Sequence, residues 1–443
     1  MNIDSLEASL KDTAARTVEL AQSLGAEQSE VGVSADEGLS ITVRMGELES
    51  VERQLNRGIG ITVYCAGSKG TASTTEFSDA AIETTVRKAL SIASYTAADE
   101  HAGLAPAELM GQAEAALDLY HPWSIDVESG SDLALAAEQA ARDSDSRIQN
   151  SEGATLSSES GYRAYANSHG FVGGHASSTH VLSCSVIAAS DGELERDYWV
   201  SSARAAEELE APEAVGRRAA ERALARLGSR QIKTCRVPVV YPAELARGLF
   251  SHCIAAIRGS SLYRRASFLL DAAGNQVFPD FVSIDEQPHL PRAFGSAAFD
   301  ADGVETRPRK LIDSGVLTGY VLGAYSARRL GLQTTGNAGG VHNLIVTPSA
   351  GELSEVIGAL ERAFVVGELL GQGVNIVTGD YSRGAAGFWV ENGAITHAVS
   401  EVTIAGNLAD IYSRIEAIGS DVDYRGVIRT GCVVVGEMTV AGS

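Results

Sequence analysis

The sequence is poor in basic residues. Its 443 residues include 35 Lys and Arg against 57 Asp and Glu, a formal net charge of −22. A field of this sign repels phosphate backbones, so we expect no direct binding of nucleic acid. Long apolar runs are also lacking, because no segment approaches the roughly 18 residues that a membrane-spanning helix requires. The first residues, MNIDSLEASLKD, carry acids where a secretory signal carries bases. We therefore expect a cytoplasmic protein with no membrane partner.

Cysteine is scarce as well. The five cysteines lie far apart, form no CxxC pair and are odd in number. This pattern favours reduced thiols in a core over a disulfide framework or a zinc ribbon.

Apolar residues at 44% and charged residues at 21% are ordinary for globular proteins, which excludes disordered, collagen-like and coiled-coil chains. A chain of this length predicts about two to four domains.

Recognisable catalytic motifs are missing too. None of the nine histidines stands in HExxH or HExxxH, and neither a GxSxG serine elbow nor a phosphate-binding glycine motif occurs. The densest histidine cluster is His169, His175 and His180, in a predicted strand-and-turn region. Its spacings of six and five put His169 and His175 on one face of a strand and His180 on the other. A three-ligand metal site there would need a bend.

His252 and a basic run beyond it are the other candidates. His252 adjoins Cys253 on the predicted helix LARGLFSHCIAAIRG, but adjacent helix side chains diverge by about 100°, so they do not form a nucleophilic dyad. A pocket-lining role and a plain, partly buried helix position both stay open for His252. The run from Arg258 to Arg265 could hold a carboxylate of a peptide or partner, or it could balance nearby acids through internal salt bridges.

Hydrophobic periodicity divides the chain into segments. It predicts a helix at 5–25, an antiparallel meander at 29–75 and a second helix at 78–97, and the same order recurs over 132–227. Residues 90–140 contain no Lys or Arg. We interpret this acidic stretch as a connector, either a solvated linker or a docking face for a basic partner.

The predicted fold class is α+β. The N-terminal half consists of helices and antiparallel meanders that would form a duplicated unit, and the C-terminal half is β-rich with peripheral helices. The predicted domains are an N-terminal α+β domain at 1–110, a central α+β domain at 111–229 and a C-terminal β-rich domain at 230–443. The last domain should contain helices near 243–258, 352–370 and 408–418, strands near 237–240, 311–322, 341–346, 374–378 and 388–404, and hairpin turns at 313–315 and 391–393.

Several segments carry a resemblance to a known family. They are LARGLFSHCIAAIRGSSLYRRASFLLDAAGNQVFPDFVSIDEQP, TTGNAGGVHNLIV and GQGVNIVTGDYSRGAAGFWVENGAITHAVSEVTIAGNL, with LDLYHPW, YANSHGFVGG and LSCSVIA in the first half. Nearly the whole chain thereby resembles the TldD/PmbA family, in its PmbA (TldE) branch. The resemblance implies a cytoplasmic bacterial protein, called a modulator of DNA gyrase, that joins a TldD-type partner in a heteromeric zinc metalloprotease. Such a complex is similar to a chamber for unfolded or leader peptides, including peptide-antibiotic precursors and labile antitoxins.

The chain departs from the family's zinc motif, which is HExxxH with a cysteine near the C-terminus. Cys253 replaces the glutamate after His252, Ile257 stands where the second imidazole belongs, and Cys432 follows a glycine where the zinc-binding version precedes one. Without the second imidazole and the general base, zinc would lose affinity and the means to activate water. The resemblance therefore implies a non-catalytic subunit without a metal, the zinc being held by the TldD-type partner.

Four polar residues in the characteristic segments are expected to face the peptide chamber or the partner: His252, Arg264, Asn337 and His342. We expect an extended peptide to lie along exposed strand edges through main-chain hydrogen bonds. The isolated chain is expected to form a homodimer, because its chamber surface is left unmatched.

Two alternatives stay open. The chain could be an autonomous metallopeptidase with a divergent site assembled from His169, His175, His252 and Cys432. It could also be an adaptor with no proteolytic role.

Overall fold

A computed structural model describes residues 3–111 and 116–442. Helix accounts for 27% and strand for 39% of the structure. The helices are α1 (Ile3–Ser23), α2 (Asp79–Tyr95), α3 (Val127–Ser144), α4 (Pro212–Arg226), α5 (Ala243–Ile257), α6 (Gly259–Tyr263), α7 (Ala324–Leu330), α8 (Leu353–Gly358) and α9 (Leu408–Ser413). The strands are β1 (Gln28–Arg44), β2 (Glu47–Cys65), β3 (Ser68–Thr74), β4 (Ile148–Asn167), β5 (Val172–Ser190), β6 (Glu193–Ala203), β7 (Cys235–Tyr241), β8 (Ile284–Glu286), β9 (Arg309–Asp313), β10 (Val316–Leu317), β11 (Leu344–Val346), β12 (Arg362–Leu370), β13 (Asp380–Glu391), β14 (Ala394–Asn407), β15 (Ile415–Ile418), β16 (Ile428–Arg429) and β17 (Val433–Ala441). Within the described ranges, no helix is long and apolar enough to cross a membrane.

The N-terminal half is built on one antiparallel sheet with the strand order β3-β2-β1-β4-β5-β6. Two units, each a helix, a three-stranded meander and a helix, meet where β1 pairs with β4. This pairing extends from Glu30 opposite Asn167 to Val43 opposite Ala154. The predicted repeat of element order is confirmed, and the two meanders form a single sheet.

The helices of this half cover one face of the sheet. α1 and α2 pack on one end of the strands around Val31, Ile61 and Val86. α3 and α4 pack on the other end around Leu156 and Ala219. Because side chains alternate along a strand, the opposite face is separate from these cores, and hydroxyl pairs bridge β1 and β4 there. The sheet therefore has one apolar face and one polar face.

The acidic connector is packed against both halves. Leu104, Ala105, Leu117 and Leu119 are buried. Arg328 of the C-terminal half donates hydrogen bonds to three carbonyl oxygens between residues 101 and 104. The interpretation as a solvated linker is therefore wrong for these residues, because a few apolar side chains among the acids anchor the segment. The acid at position 114 lies outside the described residues, and the docking-face alternative stays a prediction.

The C-terminal half is built on a six-stranded sheet with the order β14-β13-β12-β7-β17-β15. β7 lies parallel to β12 and antiparallel to β17. Val239 and Tyr241 point to the face that carries α5, whereas Val240 points to the face that carries α8. A smaller sheet, β10-β9-β8-β11-β16, contributes to the core on the α5 face. The predicted α+β class with a β-rich C-terminal half is confirmed.

Two predicted helices of this half are partly strands. The range 352–370 contains the short α8 and then β12, and the range 408–418 contains the short α9 and then β15. β12 is a mostly apolar run in the sheet interior, where burial on both faces outweighs helical spacing. The predicted strand at 374–378 is mostly a turn. Both hairpin turns are confirmed, since Ser314 and Asn392 have φ values of 49° and 51° and each precedes a glycine with positive φ.

The predicted domain limits stay predictions. The limit at 110/111 lies in the connector between α2 and α3, and the limit at 229/230 lies between α4 and β7. One sheet spans both predicted N-terminal domains.

Candidate functional site

The candidate site is centred on α5, the helix that carries His252. Pro242 takes the N-cap position, and apolar residues then recur at helical spacing. The apolar face packs into the main core, where Cys253 and Ile257 are 2% and 0% exposed. Burial raises the pKa of the Cys253 thiol to about 12. Cys253 is therefore a protonated core side chain and not a nucleophile.

His252 is half-buried on an adjoining side of α5. Its ring packs edge-on against Tyr381 of β13, with ring centroids 6.2 Å apart. Burial lowers the pKa of His252, and the positive charge of Arg383 lowers it further. The neutral imidazole is therefore the favoured form at neutral pH, and it can act as a hydrogen-bonding group in this wall.

A groove of about 360 Å³ follows the exposed side of α5. Its walls are Arg247, Ser251 and Ile254, residues 426–428, and residues 339–341, which belong to the glycine loop formed by residues 336–341. Positions 247, 251 and 254 share one helix face because they are four and three residues apart. The Ser251 hydroxyl donates to the Arg247 carbonyl oxygen at 3.0 Å instead of to a general base. The groove offers hydrogen-bonding groups rather than an activated hydroxyl.

The glycine loop is fixed by a buried carboxylate. Glu286 of β8 accepts hydrogen bonds from Asn337 Nδ2 and from the His342 backbone N–H, both at 2.7 Å, and pairs with Arg309 Nε at 2.7 Å. Asn337 Oδ1 accepts from Arg309 Nη2 at 2.9 Å. Both ring nitrogens of His342 lie within 3.2 Å of carbonyl oxygens. The structure thus brings Asn337 and His342 into one network, and their expected contact with a peptide stays a prediction.

Arg264 lies apart from this network and is exposed. Its Nε donates to the Ser260 carbonyl oxygen at 2.7 Å, and its guanidinium carbon is 5.7 Å from the centre of the Tyr263 ring. Arg258 Nη2 likewise donates to a carbonyl oxygen, that of Gly339, at 2.9 Å. The internal salt-bridge interpretation predicts that these arginines pair with carboxylates. Both instead bond to main-chain oxygens. A role for the basic run in holding a foreign carboxylate stays a prediction.

The four residues of the divergent metal site do not meet. Cys432 is buried on the α8 face of the central sheet, whereas α5 and His252 lie on the opposite face. Burial raises the pKa of the Cys432 thiol. His169 lies in the turn after β4, and His175 lies on β5 opposite Arg163, so both belong to the N-terminal half.

His180 is fully bonded inside the N-terminal half. Its Nδ1 lies 3.0 Å from Ser158 Oγ, and its Nε2 lies 2.9 Å from the His121 carbonyl oxygen. His180 lies five residues along β5 from His175, so its side chain faces the other side of the sheet. Across residues 3–111 and 116–442, no three His, Cys, Asp or Glu side chains are placed to share a metal ion. The surroundings of His252 do not fit zinc, because its neighbours at positions 253 and 257 point into the core.

A second buried carboxylate, Asp300, supports the glycine loop. Its Oδ2 accepts from the Ala338 N–H at 2.8 Å, and its Oδ1 accepts from the N–H groups of Asp302 and Val304 at 2.9 Å. Burial and the negative charge of Asp302 raise the pKa of Asp300 to about 7, against the effect of the three donors. Asp300 therefore changes charge near neutral pH.

We expect the chain to lose stability as the pH rises from about 4 to about 7. The unfolded chain releases the Asp300 proton near its ordinary pKa of 3.8 and the folded chain near 7, so the folded state binds more protons in this window. Between pH 5 and pH 7, the free energy of unfolding in urea should fall by about 1–2 kcal/mol more for the natural chain than for Asp300→Asn. Equal losses in the two proteins would contradict the assignment.

A cleft of about 970 Å³ lies elsewhere. It separates α4 and β6 from the α8 side of the central sheet, and Trp199 and Phe388 are among its walls. Arg222 and Asp197 of this cleft form an ion pair at 3.1 Å. We place the candidate site at α5 because polar groups of the characteristic segments converge there, whereas this cleft is a seam between the two halves.

Comparison with family models covers most of the chain. The PmbA/TldA metallopeptidase models match residues 29–93 (domain 1), 120–227 (central domain) and 234–442 (C-terminal domain). The chain belongs to the PmbA/TldA metallopeptidase family. The C-terminal match includes α5 and the glycine loop, and the resemblance to the TldD/PmbA family is confirmed.

Relatives and solved structures agree with this family assignment. The metalloprotease PmbA of Escherichia coli O157:H7 is 45% identical over 98% of this chain and 96% of its own length. The metalloprotease PmbA homolog of Haemophilus influenzae is 44% identical over 99% of this chain and 97% of its own length. A Bacteroides thetaiotaomicron protein named as a modulator of DNA gyrase has a TM-score of 0.93 at 26% identity, covering 98% of this chain and 99% of that one. TldE from Thermococcus kodakarensis shares the fold, with a TM-score of 0.85 at 18% identity over 97% of this chain and 99% of that one. The two PmbA relatives confirm the PmbA branch.

Sequence reasoning missed Glu286 and Asp300. Both are buried and fix the glycine loop. The available signal for Glu286 was an acid pair in the otherwise apolar stretch FVSIDE. Asp300 stands in AAFDADG, where the pattern indicates only a turn.

Proposed function

We propose that this PmbA/TldA family member is the TldE-type subunit of a TldD–TldE heteromeric zinc metalloprotease. In this proposal the TldD-type partner binds the zinc, and this chain holds none. The complex acts in the cytoplasm on unfolded or leader peptides, including peptide-antibiotic precursors and antitoxins. The observation that carries the proposal is the burial of Cys253 and Ile257, which occupy the positions of the glutamate and the second imidazole of HExxxH.

The helix geometry supports a non-catalytic role. In a regular helix, positions 253 and 257 lie about 100° and 140° around the axis from His252. Both project into the main core, beneath the small sheet and β7. A carboxylate or an imidazole at either position would be buried without a partner, which costs several kcal/mol. The family's other ligand position, Cys432, lies across the sheet. His252 is thus left as a single imidazole.

The α5 groove is the proposed surface for the peptide or the partner. Arg264 is exposed and its guanidinium makes a bond to one carbonyl oxygen, so it has donors free for a peptide carboxylate. His252 presents a neutral ring next to the groove residue Ser251. Asn337 and His342 hold the glycine loop at the opposite wall. We propose that all four shape the chamber, the first two by direct contact.

Reconstitution with a TldD-type subunit tests the proposal. Peptide cleavage by the mixture should exceed that of the partner alone by at least roughly tenfold, and chelator should abolish it. The Arg264→Ala variant should assemble normally and show a higher KM with a similar kcat, as expected for lost substrate binding. Chelator-resistant hydrolysis of a leader peptide by this chain alone would show the proposal to be wrong. We further propose that the isolated chain forms a homodimer.

A further inference from the structure

The outer edge of β2 is unpaired over most of its length. β1 pairs with β2 from Glu47 to Tyr64, whereas β3 pairs only with Ile59 to Cys65. Residues 47–58, called the free edge below, therefore have a strand on one side only within the described chain. Alternate residues of an edge direct their N–H and C=O groups outward, so about six residues present unpaired donors and acceptors.

The free edge also carries apolar side chains into solvent. Leu48 and Leu55 are 50% and 73% exposed, and Val51 is 39% exposed. Leu48 lies opposite Val43 and Val51 lies opposite Ile41 in β1, and both β1 residues are fully buried. Cross-strand neighbours share a face, so the free edge continues the apolar surface of the α3 core into solvent. Such a surface is typical of an interface.

The opposite edge of the same sheet contacts the C-terminal half. β6 is the other edge strand, and Arg425 of the C-terminal half donates from Nη1 to the Val200 carbonyl oxygen at 2.7 Å. The Trp199 ring beside it lies 4.0 Å from the Arg425 guanidinium carbon. The C-terminal half therefore covers β6 near Val200, whereas the described structure places no such donor on the free edge.

The charges along the free edge are divided by sign. Its first half carries Glu47, Glu49 and Glu52, and its second half carries Arg53 and Arg57. In the single chain, Glu49 lies 3.7 Å from the exposed Arg44, and Arg57 lies over the Phe77 ring. An antiparallel copy places the acidic half of one strand opposite the basic half of the other. A parallel copy would place like charges together.

We propose that the free edge is the homodimer interface, with two copies pairing antiparallel about a two-fold axis at Arg53. In this register, Val51 lies opposite Leu55 of the other copy and Glu49 lies opposite Arg57. The two-fold axis repeats both pairs, and the apolar side chains of both copies stay on one face. The interface is isologous and closes after two copies. Arg53 faces its own copy, which is the one unfavourable pair in this arrangement. The inference rests on the proposed self-association and names its surface.

Sedimentation equilibrium of the full chain tests the interface. The natural chain should be dimeric at micromolar concentration, and Leu55→Glu should raise the dimer dissociation constant roughly tenfold or more. Leu194→Glu is the matched control, because Leu194 is 72% exposed on β6 and should leave the constant unchanged. Arg53→Gln should lower it, since the like-charge pair is removed. A monomeric natural chain, or equal effects of the two leucine variants, would overturn the inference.

Cross-linking tests the register separately. Arg53→Cys should form a disulfide-linked dimer on mild oxidation, because position 53 lies opposite its copy, whereas Leu194→Cys, which keeps the same native cysteines, should not. No cross-link at position 53 would contradict the register. These outcomes do not depend on peptide cleavage. The proposed interface can therefore be disproved while partner-dependent proteolysis still supports the proposed function. Equally, the proposed function can be disproved while the interface is supported.

Discussion

Replacing Glu286 with alanine is expected to lower the free energy of unfolding by about 3–5 kcal/mol. The carboxylate is 1% exposed and accepts from Arg309, from the Asn337 amide and from the His342 backbone N–H. Its removal leaves a poorly exposed guanidinium without a counter-ion and two donors without acceptors. Urea unfolding monitored by circular dichroism measures the loss, and hydrogen exchange should show the glycine loop opening first.

The matched control is Glu305→Ala. Glu305 forms an ion pair with Arg307 at 2.7 Å, the same distance as the Glu286–Arg309 pair, but both side chains are exposed. This variant should change the free energy of unfolding by less than about 1 kcal/mol. Similar losses in the two variants would show that burial does not set the strength of the Glu286 network.

Rebuilding the zinc motif on α5 is expected to unfold the protein without creating a metal site. The double variant Cys253→Glu, Ile257→His completes HExxxH around His252, but both positions are buried in the main core. An unpaired carboxylate and an imidazole there should together remove more than about 4 kcal/mol of stability. Urea unfolding and zinc analysis after dialysis measure both outcomes.

Ser251→Glu on the same helix provides the control for this variant. Ser251 is exposed in the groove, so an added acid there should alter stability by about 0.5 kcal/mol or less. A folded double variant that retained one zinc ion per chain would contradict the burial argument, because it would show that α5 can present these positions to a metal.

The arrangement of the N-terminal half was largely predictable, because its helices and strands have clear and different hydrophobic periods. The helix predicted at 78–97 corresponds to α2, and Ser78 caps it through a hydrogen bond to the Ala81 N–H. β12 was not predictable in the same way, since its mostly apolar sequence RAFVVGELL fits a buried helix or a buried strand. Pairing with β7 and β13 decides between the helix and the strand. β7 is distant in sequence and β13 comes after β12, so the local pattern shows neither pairing.

The candidate site, too, could be predicted from the sequence only in part. Cys253 and Ile257 one and five places beyond His252, which the proposal sets against HExxxH, could be found in the sequence because the spacing is local and the helix is regular. The network of Glu286 could not, since Asn337 lies 51 residues further along the chain. Nor could the position of Cys432, which directly precedes β17, because the face of the central sheet on which it lies depends on the register of the strands.

The free edge of β2 illustrates a further limit. The predicted meander at 29–75 includes these residues, but an edge is defined by the partner strand that is missing. β3 is only 7 residues long while β2 has 19, and this difference in length leaves residues 47–58 uncovered.

The decisive experiment is zinc analysis of this chain after reconstitution with the proposed TldD-type partner. Each subunit is purified without chelator and dialysed, and metal is measured for this chain, for the partner and for the complex. We expect one zinc ion per pair, all of it lost when the HExxxH histidines of the proposed partner are replaced and none of it lost with His252→Ala in this chain. Stoichiometric zinc on this chain alone, removed by His252→Ala, would show that this chain is itself a metal-binding subunit.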